Sequence, residues 1–134
     1  MEQSKGLIGW CAGLFDGEGS VNYAQYKSKK PNGKTCLKWN VAMEISMTHL
    51  DTIHHFYQII HQLGSINYKK NGGYGTKDQW RWRCSHQKAL VVAKLLYPYS
   101  LTKRDKLLQI INHYEFKKPI GNLDKRFNLF KNKT

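Results

Sequence analysis

Cysteine is scarce in this chain of 134 residues. Cys11, Cys36 and Cys84 are odd in number and have no C-x-x-C spacing. They offer neither a disulfide framework nor a zinc site, and they fit a reducing, intracellular setting. Long apolar runs are missing too. No stretch approaches the roughly 20 apolar residues of a membrane span, so no membrane partner is expected. The apolar run from Leu7 to Phe15 follows Lys5, as a signal peptide would. Glu2, the acids directly after the run and the lack of a small-x-small cleavage site argue against secretion. Internal repeats and low-complexity tracts are absent. Acids are the other shortage: 9 Asp and Glu face 22 Lys and Arg, for a net charge of +13. That excess exceeds what solubility asks for and points to a polyanion, nucleic acid before an anionic membrane surface.

Apolar residues make up 40% of the chain, enough for a globular domain with a real core. One domain is expected over residues 1–116, followed by a basic tail over 117–134. The tail holds six basic residues and one acid. Ser4 is a candidate cap for a helix from about Leu7 to Asp16. From Ser20 the period becomes alternating, with Val21, Tyr23 and Gln25 opposite Asn22, Ala24 and Tyr26. A turn with four lysines covers Lys27 to Lys34. A second strand follows, apolar at Leu37, Trp39, Val41, Met43, Ile45 and Met47. Its other face holds Lys38, Asn40, Ala42, Glu44 and Ser46. Asp51 to Leu63 reads as a helix capped by Thr48 and ended by Gly64. Ser65 to Lys70 and Gln79 to Cys84 read as strands around a turn at Asn71 to Gly75. Helices from about Gln87 to Tyr97 and from Thr102 to Tyr114 complete the order αββαββα plus a C-terminal helix.

The stretch from Gly9 to Ser20 organises the rest. Gly9 and Gly13 are four apart and share a helical face. Each glycine inside a helix costs about 1 kcal/mol against alanine, so close approach by a second helix is expected there. Asp16 and Glu18 follow where the helix stops. An acid at a helix C-terminus is poorly placed for the macrodipole, so these acids serve some purpose other than the helix.

Cys11-Ala12-Gly13-Leu14-Phe15-Asp16-Gly17-Glu18-Gly19 resembles the LAGLIDADG motif of homing endonucleases. Cys11 stands for the first Leu, Phe15 for the Ile, Gly17 for the second Ala and Glu18 for the second Asp. One copy is present. The resemblance implies a homodimer with the two motif helices at its dyad, with Gly9, Ala12 and Gly13 in the interface. It implies an α+β fold, a saddle-shaped four-stranded antiparallel sheet with helices on one face. It implies hydrolysis of both strands of a long pseudo-palindromic DNA site. The cation would be Mg²⁺, or Ca²⁺ or Mn²⁺ in the same place. By the same likeness Glu18 and the Gly17 carbonyl hold the metal, hard oxygen donors of the type Mg²⁺ takes. Lys103 is the candidate active-site base or charge-stabiliser, and Asp16 is expected to close the motif turn through backbone amides.

Alternation places Asn22, Tyr26, Lys38, Asn40, Glu44, Ser46, Lys69, Asn71, Arg81 and Arg83 on the open sheet face. Lys29, Lys30 and Lys34 stand beside it in the basic turn. Most are donors suited to phosphates and base edges. The glutamine that the family often carries at the end of the second strand is Met47 here, which cannot hold a water strongly. That departure keeps two further readings open, an RNA-binding maturase and a DNA-binding protein without cleavage. His54, His55 and His61 lack zincin spacing and read as surface residues.

Overall fold

The computed structural model describes residues 5–70 and 77–115. Ser4, Asn71, the turn at 71–75 and the basic tail lie outside the described residues. The elements run α1 (Lys5–Glu18), β1 (Gly19–Lys29), β2 (Thr35–Met47), α2 (Leu50–Ile59), β3 (Ser65–Lys69), β4 (Gln79–Ser85), α3 (His86–Leu96) and α4 (Arg104–Glu115), with a 3₁₀ turn at Tyr97–Tyr99. The four strands form one antiparallel sheet in the order β1-β2-β4-β3, in line with the αββαββα reading.

Register explains the two faces. Directly opposed residues share a face. Val21, Met43 and Cys84 align, as do Ile45, Trp82 and Ile66. These point to the core formed with the helices. Trp82 is fully buried against Phe56 and donates its indole N–H to Leu63 O at 2.9 Å. Burial pushes the Cys11 and Cys84 thiols up to about 12, so both are neutral core residues. Leu37 belongs to the same strand face but is 59% exposed. The β1–β2 ribbon there extends beyond the helices that cover the rest.

Two local expectations change. The cap of α2 is His49, not Thr48, and its ring accepts from Thr52 N at 3.2 Å. The helix stops at Ile59, because His61 and Gln62 take positive φ values of 63° and 57°. Gln62 N then bonds Tyr57 O at 2.9 Å. Apolar spacing hid this stop, since Ile60 is buried and Leu63 packs against the core past the helix end. Gly64 begins the return at φ 93°, where an added Cβ would lie 2.5 Å from Arg83 O.

Candidate active site and nucleic-acid face

The end of α1 is fixed by a sharp change of direction. At Gly19, where β1 begins, a Cβ would lie 2.3–2.6 Å from the Phe15 ring and carbonyl. Only glycine lets the strand leave so close to the helix. Just before it, Asp16 is held from a distance. Its carboxylate accepts the Ser100 hydroxyl, Leu101 N at 2.8 Å and Lys103 N at 3.1 Å. Its carbonyl accepts Thr102 Oγ1 at 3.0 Å and Lys103 Nζ at 3.2 Å. Asp16 therefore closes the loop in front of α4, not the motif's own turn as expected. The acceptor role stands; the amides belong to a segment more than 80 residues away.

The electrostatics of that contact are reciprocal. Leu107 N bonds Lys103 O at 3.0 Å, so Lys103 opens α4. The Asp16 carboxylate lies at the positive N-terminal end of α4, and the Lys103 ammonium lies at the negative C-terminal end of α1. Burial alone would raise the Asp16 pKa. Hydrogen bonds from Ser100, Leu101, Lys103 and Thr102 outweigh it and hold the carboxyl below its ordinary value of 3.8. Arg104, stacked over the Tyr97 ring at 4.5 Å, braces the same junction.

Glu18 contrasts with Asp16. It is exposed and has no ion-pair partner among the described residues. The structure brings Lys103 to the same helix end through Asp16, one residue from Gly17 and two from Glu18. Glu18 Oε and the Gly17 carbonyl, one of the last four of the helix and without an intrahelical partner, are hard oxygen donors that fit a divalent cation. Among the described residues no three His, Cys, Asp or Glu side chains gather as a metal-binding group.

The motif helix has a bare side. A Cβ added at Gly9, Gly13 or Gly17 would meet nothing within 4 Å. Ala12, expected beside the glycines at an interface, is instead fully buried with Ile8, Cys11 and Phe15. Gly13 and Ala12 are neighbours in sequence and so about 100° apart around the helix, which puts Ala12 on the core side. Trp10 is 40% exposed and lies edge-on to His55.

The open sheet face carries rows of opposed residues. Tyr26 and Lys38 form one row, and Ala24 and Asn40 the next. Asn22, Ala42 and Ser85 form a third. Ser20, Glu44, Arg83 and Ser65 follow, then Ser46, Arg81 and Asn67, then Lys69 and Gln79. Every described residue expected on this face is on it. Asn67 and Gln79 were not among the expected residues, although the alternation that found Arg81 and Arg83 places them there. Lys29, Lys30 and Lys34 are exposed at the ribbon's tip, where Lys30 N bonds Lys34 O at 2.8 Å. Met47 lies on the opposite, helix-facing side beside Trp80 and packs against the core.

Residues 11–102 match the family described as LAGLIDADG endonuclease. The chain belongs to that family. No curated protein matches it by sequence. LAGLIDADG folds also stand among the solved structures it resembles. One is the homing endonuclease I-CvuI in complex with the I-CreI target in the presence of magnesium, with DNA not cleaved (TM-score 0.62, 16% identity, 78% of this chain and 63% of that one). A second I-CvuI complex, with its own target and calcium, gives a TM-score of 0.58 at 16% identity with the same coverage. The LAGLIDADG homing endonuclease I-GzeII in complex with its DNA target gives 0.63 at 16% identity, over 87% of this chain and 38% of that one. At such identities the likeness is one of fold. This LAGLIDADG chain spans less than two thirds of the length of these relatives. No helix among its described residues is long and apolar enough to cross a membrane.

Proposed function

We propose that the chain is a site-specific DNA endonuclease that cuts both strands with a divalent cation, working as a homodimer packed through α1. The observation that carries this reading is the end of α1. There Glu18 is exposed two residues past Asp16, whose carbonyl accepts Lys103 Nζ at 3.2 Å, on a helix where a Cβ added at Gly9, Gly13 or Gly17 meets nothing within 4 Å. Two copies related by a two-fold axis bring two such ends together, and Gly9, Gly13 and Gly17 let the backbones approach. The paired Glu18 carboxylates repel each other unless a cation lies between them.

Glu18 and the Gly17 carbonyl are the groups that would hold Mg²⁺, and Ca²⁺ or Mn²⁺ in its place. Such an ion supplies charge neutralisation and an activated water beside the scissile phosphate. Lys103 offers a positive charge near the same phosphate and stabilises charge that develops in the transition state. The open sheet face positions the DNA. The family membership, and the DNA in the complexes of I-CvuI and I-GzeII, support that choice of substrate.

The test is incubation of the protein with Mg²⁺ and plasmids carrying the DNA that flanks its reading frame. Linear product from one of them is expected, and none from a Glu18→Gln preparation. Met47 favours a second reading, a DNA-binding protein or intron-RNA maturase of the same fold, because a thioether turned to the core cannot orient a water. Specific binding to flanking DNA without cleavage, or binding to intron RNA alone, would favour it.

A further inference from the structure

Glu44 is out of place by charge. It shares the open face with Lys38, Arg81 and Arg83, on a surface read above as facing a polyanion. Its position is central: β2 residue Glu44 lies opposite Ser20 of β1 and Arg83 of β4. Its Oε2 accepts from Arg83 Nη1 at 3.2 Å, with 35% of the Arg83 side chain and 29% of the Glu44 side chain exposed. Neither residue makes another side-chain hydrogen bond among the described residues. Ser20 and Ser65 close the row on either side, so the two long side chains stand above short neighbours.

A carboxylate held against phosphates repels them. Against base edges in a major groove it has a use, because cytosine N4 and adenine N6 are donors there. An arginine fork matches the two adjacent acceptors of guanine, N7 and O6. The order of groups across a G·C pair is acceptor, acceptor, donor. Arg83 and Glu44 together present donor, donor, acceptor, already joined across two strands. An A·T pair presents acceptor, donor, acceptor, so the second arm of the fork would meet an amine.

We propose, on the DNA-binding reading above, that Glu44 and Arg83 act as one unit reading a single G·C pair in each half-site. Arg83 takes the guanine and Glu44 the cytosine paired with it. The ion pair fixes the fork before DNA arrives, and the carboxylate rejects pairs that put an acceptor in its place.

The test is selection from a randomised duplex pool without Mg²⁺, using the full chain, Glu44→Gln and Arg83→Lys. The parent is expected to enrich one G·C column, repeated by symmetry. Glu44→Gln should lower the preference at that column about tenfold and leave the other columns alone. It should also bind random duplex more tightly, because each chain loses an anion. Arg83→Lys should relax the same column, since a lysine cannot make the bidentate contact. Retention of the column in both variants, or equal fading of every column, overturns the inference while leaving DNA binding intact. A parent that enriches no duplex at all overturns the DNA-binding reading itself, and the pair with it.

Discussion

Both α1 and the sheet have one side closed by the protein and one side left open, and the two sides obey different rules. On the closed side of α1, Ile8, Cys11, Ala12 and Phe15 are packed into the core. On the open side, a Cβ added at Gly9, Gly13 or Gly17 would meet nothing within 4 Å among the described residues. Two residues of the motif repeat the contrast in acid form: Asp16 is wrapped by donors from the loop before α4, and Glu18 is exposed. The difference teaches where stability and function separate. Closed positions hold the helix end in place; open positions are what it presents. Changes on the open side should alter cutting, assembly or DNA binding with the fold intact, and changes on the closed side should weaken the fold.

The largest effect should come from Glu18→Gln. The change keeps the size and removes the anion. Cleavage should fall by about 10³-fold, corresponding to several kcal/mol of lost charge stabilisation. Gel-shift affinity and melting temperature should stay near those of the parent. Normal cutting would remove Glu18 from the metal site, and lost folding would place it on the closed side.

Gly13→Leu should come next. A Cβ added at Gly13 meets nothing within 4 Å among the described residues, and leaving glycine improves helix propensity by up to about 1 kcal/mol. A single chain should therefore be as stable or slightly more so. Sedimentation should nonetheless report a monomer, and double-strand cutting should be lost. A variant that still sediments as a dimer and cuts would mean that this face is not the contact.

Much of the open side was legible in the sequence and less of the closed side. Alternation along the strands was enough to collect most of the open-face residues, though not Asn67 and Gln79, because one strand period fixes a face whatever lies opposite. The motif spacing located Gly9, Gly13 and Glu18 for the same local reason. Ala12 was misplaced because small residues read alike on either side of a helix, and only packing distinguishes them. The partners of Asp16 were invisible for a different reason. Nothing in Ser100, Leu101 or Lys103 announces a carboxylate 84 to 87 residues earlier. The early stop of α2 depends on His61 and Gln62 in a backbone region that favours glycine, so tertiary packing overrode the local signal.

Asp16→Asn tests the closed side. It keeps one acceptor and loses the charge that several donors share, so unfolding in urea should come about 2 kcal/mol sooner. Lys103 should lose its anchor as well, and cleavage should fall with stability instead of independently of it. The pH dependence has a definite sign. The folded pKa lies below 3.8, so the contribution is fully present above the unfolded value. It disappears as pH falls below 3.8 through the folded pKa. The gap between parent and variant should narrow over that acid range and be constant near neutrality. A gap that widens on acidification would contradict the assigned hydrogen bonds.

Lys30→Ala should give the smallest effect, and it isolates the electrostatic share of the open side. The tip of the β1–β2 ribbon is shaped by backbone bonds, Lys30 N to Lys34 O at 2.8 Å and Gly33 N to Lys30 O at 2.9 Å. Gly33 supplies the positive φ of 82°. Removing the Lys30 side chain should leave that turn as it is. If each subunit contacts about five phosphates, log K should fall with log[salt] at a slope near −9, or about −0.9 per phosphate. A dimer loses two contacts in the variant, so the slope should become shallower by about 2. Unlike the loss at Arg83, this one should be equal on selected and random duplex, because a phosphate carries no sequence. An unchanged slope would mean that the ribbon tip does not reach the DNA backbone. A loss confined to one sequence would instead make Lys30 a base reader and extend the reading face beyond the row of Tyr26 and Lys38.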